Sequence, residues 1–124
     1  MGNKKILELY PWMRIGDSER YTLLDILPAG WHDLILDMCD QMVRMLAKYH
    51  VDINDYKVLG AKEKWGVLCW YDYIDNDDVP VSIRDKLSKF TDVFCERSAN
   101  TCMICGRYKS RGLLVCPNCS NKFN

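Results

Sequence analysis

From Trp31 to Tyr49 apolar side chains recur every three or four positions: Trp31, Leu34, Ile35, Met38, Met42, Met45, Leu46 and Tyr49. That is the period of one helix face, and it predicts a helix over 31–49. Asp33, Asp37, Asp40, Arg44 and Lys48 fall largely off the stripe. Asp33 near the start and Lys48 near the end also suit the helix dipole. The period then changes. After the turn chemistry of Asp52 to Asp55, residues 56–73 read as two strands joined near Trp65-Gly66. In the second strand Val67, Cys69, Tyr71 and Tyr73 alternate with Leu68, Trp70 and Asp72. Both faces are largely apolar, so the strand is expected to be covered on both. Asp75-Asn76-Asp77-Asp78 before Pro80 is a polar loop. Ser82 with Asp85 three residues on is an N-cap signal. Ile83, Leu87, Phe90 and Phe94, with Val93 beside them, then predict a second helix to about Ser98.

The first 28 residues carry less pattern. Ile6, Leu7, Leu9 and Tyr10 fit a short helical turn ending at Pro11, and Tyr21 to Leu27 is an apolar stretch cut by Pro28. Trp12, Met13 and Ile15 suit either the core or a contact surface. At 124 residues one domain is the default. A hydrophobic content of 48% argues against disorder. No apolar run approaches the roughly 20 residues that span a bilayer. The start is basic but lacks the apolar stretch of a signal peptide. These readings point to the cytosol.

Seven cysteines sharpen the picture. The number is odd and falls short of a disulfide-built scaffold, and four of them lie in two C-x-x-C pairs. The pairs are Cys102-Met-Ile-Cys105-Gly106 and Cys116-Pro-Asn-Cys119, ten residues apart. Two thiolates from each of two tight turns supply a tetrahedral four-sulfur shell. Gly106 follows the second thiolate, where a positive φ helps the chain turn. The spacer, with Gly112 and Leu113-Leu114-Val115, suits a short ribbon returning to the metal. The assigned ligands are therefore Cys102, Cys105, Cys116 and Cys119, around one structural Zn2+ per chain. The two turns also resemble the iron-binding turns of rubredoxins, whose pairs stand much further apart. Zinc is the commoner structural choice for thiolates. A catalytic zinc keeps one position open for water, and this set leaves none.

The remaining candidates have plainer readings. His32 and His50 flank the long helix, 18 residues apart, and suit solvated or capping roles rather than a shared metal. Cys39, Cys69 and Cys95 sit within regular elements as small hydrophobes. Lys62-Glu63-Lys64-Trp65-Gly66, with Trp70, Tyr71 and Tyr73 behind it, fits a base-stacking platform with basic flanks. The favoured reading is a core strand with a charged turn, because Asp72, Asp75, Asp77 and Asp78 follow directly and would repel phosphate. That acidic run lacks the glycine and distal glutamate of an EF-hand loop. Net charge is zero, yet residues 1–80 carry 9 basic and 14 acidic side chains and residues 81–124 carry 8 and 3. Beyond Cys102 the charges are Arg107, Lys109, Arg111 and Lys122, all basic. Arg107, Lys109 and Arg111 are expected to project into water. Such a tail is mildly basic, not a strong nucleic-acid magnet.

Several segments in order resemble a group of small phage and prophage proteins. They are Gly30-Trp31 opening the helix, Lys62 to Tyr71, Glu96-Arg97-Ser98-Ala99-Asn100-Thr101-Cys102-Met103-Ile104-Cys105-Gly106, and Leu114-Val115-Cys116-Pro117-Asn118-Cys119. The group carries a Lys-Glu-Lys-Phe-Gly-x-Leu-x-Phe-Tyr block and a Glu-Arg-Ser-x-x-Thr-Cys-x-x-Cys-Gly block. Here Trp65 replaces the phenylalanine, Val67 the usual glycine and Cys69 the usual arginine. The resemblance spans roughly residues 30–119 and carries over no activity. It implies a phage genome and a bacterial host cell, where such proteins commonly bind and redirect host or defence proteins.

The expected fold is α+β: helices packed on a β-hairpin (residues 1–101) with a C-terminal four-cysteine zinc ribbon (102–124), as one compact unit. The expected function is a non-enzymatic zinc-binding protein of phage type in the host cytoplasm, not associated with membranes. It would bind a bacterial host protein, with counter-defence inhibition as its role. The alternative is a nucleic-acid-binding zinc-ribbon module.

Overall fold

A computed structural model describes residues 2–121. The strongest period in the sequence becomes helix α2, His32–Lys48, entered through a 3-10 turn over Ala29–Trp31. Its stripe of Leu34, Ile35, Met38, Met42 and Leu46 is buried, together with Cys39. Each such aliphatic side chain contributes about 1.5–3 kcal/mol on burial. The helix stops at His50, whose φ is +56°. The His50 N–H donates to the Ala47 carbonyl and the Val51 N–H to the Leu46 carbonyl. That pair of bonds is the Schellman arrangement, with His50 in the left-handed position and buried Val51 as its apolar lock.

Strands β1 (Tyr56–Lys64) and β2 (Val67–Ile74) pair antiparallel, with the register irregular between Val58 and Gly60. Lys64 faces Val67, so Trp65-Gly66 is a two-residue turn. Both turn residues have positive φ, +56° and +80°, as the hairpin's right-handed twist requires. The Glu63 carboxylate accepts from the Gly66 N–H at 2.8 Å and holds the turn. Helix α3 (Val81–Ser98) lies along the free edge of β2, where the Leu68 N–H donates to Ser98 Oγ at 2.7 Å. Tyr56, Ala61, Leu68 and Ile74 supply the inward face to the core. The outward face is only partly covered: Val67 and Cys69 are half-buried, but Tyr71 and Tyr73 reach water. Alternation of two apolar sets does not reveal which set has a layer above it, and tyrosine tolerates exposure through its hydroxyl.

One local expectation is corrected, and one open alternative is decided. Helix α3 starts at Val81, with Pro80 as its N-cap and no side-chain cap, so Ser82 is not the cap. The Pro80 carbonyl instead receives the N–H groups of Ile83 and Arg84. The Arg84 guanidinium then folds back onto three carbonyls of the preceding loop, those of Ile74, Asn76 and Val79. The segment before Pro28 supplies core side chains rather than a contact surface. Helix α1 (Asn3–Leu9) buries Ile6 and Leu7, and the following turn buries Trp12 and Met13. The Trp12 ring meets Tyr56 edge-on at 5.0 Å. Thr22 and Asp25 form a reciprocal capping box on the next 3-10 turn.

Candidate metal centre

After α3 the chain passes through Asn100 and Thr101 to Cys102. The Cys102 carbonyl accepts from the Gly106 N–H, and the Cys102 N–H donates to the Arg107 carbonyl, which folds the first cysteine pair into a tight turn. Gly106 takes a φ of +77° there, as its position after Cys105 predicts. Cys116 directly precedes Pro117, the first residue of the short helix α4 (Pro117–Asn121), which carries Cys119. Proline at that position lacks only an N–H that the helix would not use.

The four sulfurs of Cys102, Cys105, Cys116 and Cys119 lie within 4.8 Å of one another. Cys105 and Cys116 are 3.6 Å apart. A tetrahedral ion with Zn–S bonds near 2.3 Å sets its sulfurs about 3.8 Å apart, so the donor set fits. The four cysteines can bind a metal ion. Three are buried and Cys105 is exposed. Sulfur as an acceptor is already prepared: the N–H groups of Cys116 (3.2 Å) and Ile104 (3.5 Å) point at Cys102 Sγ. Burial pushes the Cys102 thiol up, but backbone hydrogen bonds from Cys105, Cys116 and Ile104 outweigh it and bring the group down to about 6. Cys116 is lowered chiefly by a backbone hydrogen bond at Cys119. Burial and the crowding thiols push Cys119 up to about 12. A bound cation would draw the protons off all four.

The cysteine loop is fastened to the core at several points, four of them central. The Gly30 N–H donates to the Met103 carbonyl at 2.9 Å. Trp31, fully buried, donates through Nε1 to the Thr101 carbonyl at 3.0 Å. At the hairpin tip a β-carbon on Gly66 would come within 2.9 Å of the Leu113 carbonyl. The fourth point corrects an expectation. Lys109 does not project into water: it is 1% exposed, and its ammonium donates to the Ala99 carbonyl. That carbonyl belongs to the C-terminal end of α3, the negative end of the helix dipole. Burial pulls the Lys109 ammonium below the usual lysine range. Its neighbours do face water: Arg107 is exposed, and Arg111 pairs with Glu96 at 2.8 Å between exposed side chains. Lys122 lies outside the described residues. With Lys109 turned inward, the spacer folds as turns with a single bridge, Thr101 to Tyr108, rather than a longer ladder.

The other candidates stay apart. His32 and His50 lie at opposite ends of α2, and His32 Nε2 is 3.2 Å from the Leu27 carbonyl. Cys39 is buried against Met13, and Cys69 and Cys95 are half-buried. Gly30 stood in the sequence without a role, and only the contact with Cys102 gives it one. No family model matches the chain, and no curated protein and no solved structure matches it. Among the described residues, no helix is long and apolar enough to cross a membrane.

Proposed function

We propose that this chain is a zinc-stabilised binding protein and not an enzyme. The observation that carries this reading is the closed sulfur set. Four cysteines within 4.8 Å fill a tetrahedral shell and leave no position for a substrate or an activated water. Zinc suits the set because it accepts four thiolates without a demand on geometry or redox state. Residues 1–101 and the metal loop act as one unit. The resemblance to phage proteins supplies the partner: a bacterial host or defence protein, met in the host cytoplasm, with inhibition as the outcome. The apolar side chains around the hairpin tip support a docking role. Trp65 is 82% exposed, and Leu113 and Leu114 nearby are half-exposed. Trp65 and Leu114 line one hollow with Lys62, Glu63 and Lys64. Tryptophan is among the residues most enriched in binding hot spots.

Metal analysis of the purified protein tests the first half: about one zinc per chain is expected, in a colourless protein. Visible thiolate-to-iron absorption would overturn zinc. Cys102→Ser should lose the metal and with it the soluble fold, since such sites contribute about 10–16 kcal/mol of apparent binding energy. Co-purification of one stoichiometric bacterial protein with the zinc-loaded chain tests the second half, and its absence would overturn it. Nucleic-acid binding is the second reading, and the outward face of the hairpin favours it.

A further inference from the structure

The sequence argues against a nucleic-acid platform on the hairpin because four acidic residues follow it. The fold separates the two. Strand β2 runs eight residues from the tip to Ile74, so the loop of Asp75, Asp77 and Asp78 lies at the open end of the hairpin. At about 3.3 Å per residue the separation is about 26 Å. Charges in water are screened within about 8 Å at physiological salt. The acidic loop therefore has no hold on the tip.

The outward face itself is basic and aromatic. Lys57, Lys62 and Lys64 point outward from β1, and Tyr71 and Tyr73 from β2, with Lys57 opposite Tyr73 and Lys62 opposite Cys69. Tyr71 is 48% and Tyr73 43% exposed. The Lys62 ammonium stands 5.7 Å from the centre of the Tyr71 ring. Glu63, the acidic residue nearest the tip, is turned to the Gly66 N–H and half-buried. Asp72 belongs to the inward set, where Tyr56 donates to it at 2.6 Å. Asp85 and Arg84 of α3 line the same hollow as Tyr73, whereas the hollow at the tip holds Lys62, Lys64 and Trp65 with Glu63 as its one carboxylate, so the net basic half is the one nearer the tip. Trp65 holds a φ of +56°, which disfavours a bulky residue, and places its ring clear of the core.

We infer that the tip half of the hairpin's outward face binds single-stranded nucleic acid, with bases stacking on Trp65 and Tyr71 and phosphates meeting Lys62 and Lys64. Rings at intervals with cations between them are what an unpaired strand needs, since every base offers a π-face and every linkage a charge. The inference rests on the second reading above, nucleic-acid binding, and gives it a face and a strand type.

The probe is a fluorescein-labelled oligothymidylate of about 20 nucleotides, titrated with the full zinc-loaded protein and followed by anisotropy. Binding should weaken steeply as salt rises. Trp65→Ala and Tyr71→Ala should each weaken it about 5-fold or more. Tyr71→Phe keeps the ring and should bind nearly as the parent does. Lys62→Ala with Lys64→Ala should flatten the salt slope by about 1.4, the value for two lost phosphate contacts on a single strand. Zinc content and melting temperature measured on each variant separate loss of binding from loss of fold. Failure of the zinc-loaded parent to bind at low salt would overturn the inference and leave the metal reading standing. So would affinity indifferent to Trp65 and Tyr71, or equal affinity for duplex DNA. Loss of a bacterial protein partner in the same variants, with no oligothymidylate bound, would assign the face to protein and overturn it too.

Discussion

A β-carbon on Gly30 would lie 2.0 Å from the carbonyl oxygen of Cys102. The 3-10 turn that leads into the long helix and the first metal-ligand candidate are thus in backbone contact, with no room for a side chain. Gly106 reciprocates, since its own β-carbon would stand 2.8 Å from the Gly30 carbonyl. Gly30 needs no unusual φ, so alanine would be unwelcome there for space alone.

Gly30→Ala should therefore separate the cysteine loop from α2. The expected cost is about 3 kcal/mol or more, since two backbones rather than a flexible side chain must give way. Zinc content should fall with the melting temperature. Gly60→Ala is the control, because a β-carbon there meets nothing within 4 Å. It should leave both quantities close to the parent's. Equal melting of the two variants would show that the Gly30 contact does not hold the loop.

How much of this was legible beforehand differs by element. Helix α2 followed from the spacing of Trp31 to Tyr49, and the metal cluster from the spacing of four cysteines, because both are local patterns. The hairpin followed too, but not the exposure of Tyr71 and Tyr73, which depends on where other layers lie. The Thr22–Asp25 box was a local signal that went unread. Arg84 gripping three loop carbonyls, Gly30 against Cys102 and Lys109 under Ala99 are long-range or buried-charge arrangements. Lysine is almost never fully buried, so composition points the other way.

Lys109 gives the second prediction. Its ammonium satisfies the Ala99 carbonyl at the end of α3 in a place water does not reach. Lys109→Met keeps the length and removes the donor, and should cost about 1–3 kcal/mol. Arg107→Met and Arg111→Met should each stay within about 0.5 kcal/mol, because exposed ions contribute little. Lys109→Glu would set a carboxylate against a carbonyl oxygen and should unfold the loop. Urea denaturation of the three methionine variants checks the order. A Lys109→Met variant as stable as the two arginine variants would remove the buried donor from the account.

Cys39 sets a pH dependence. Burial pushes its thiol from 9.0 up to about 12. The unfolded chain therefore loses this proton first as pH rises. The stability tied to the protonated thiol is complete below pH 9 and falls progressively between 9 and about 12. Cys39→Ala should cost about 1 kcal/mol at neutral pH through the lost sulfur contacts. Above pH 9 it should lose stability less steeply than the parent, by up to about 1.4 kcal/mol per pH unit. Urea unfolding at several pH values from neutral to alkaline checks it. Parallel slopes for the two proteins would show that the Cys39 thiol is not so protected.

His50 and Trp65 share a φ of +56°, and the comparison between them separates structural strain from functional strain. A left-handed conformation costs an L-residue roughly 1–2 kcal/mol, and glycine adopts it freely, less its own entropy in the unfolded chain. His50→Gly should then raise stability by about 0.5–1 kcal/mol, because the Schellman stop of α2 needs the backbone of residue 50 and nothing of its ring. Trp65→Gly should raise it by a similar amount, because the indole is 82% exposed and its removal leaves no cavity. The two variants should part company in binding. His50→Gly should hold oligothymidylate as the parent does, and Trp65→Gly should lose it. A Trp65→Gly protein that gains stability and still binds would show that the ring is tolerated on the turn rather than kept there for contact. A loss of stability at Trp65→Gly would mean that the indole packs on the neighbouring Leu114 strongly enough to outweigh the strain.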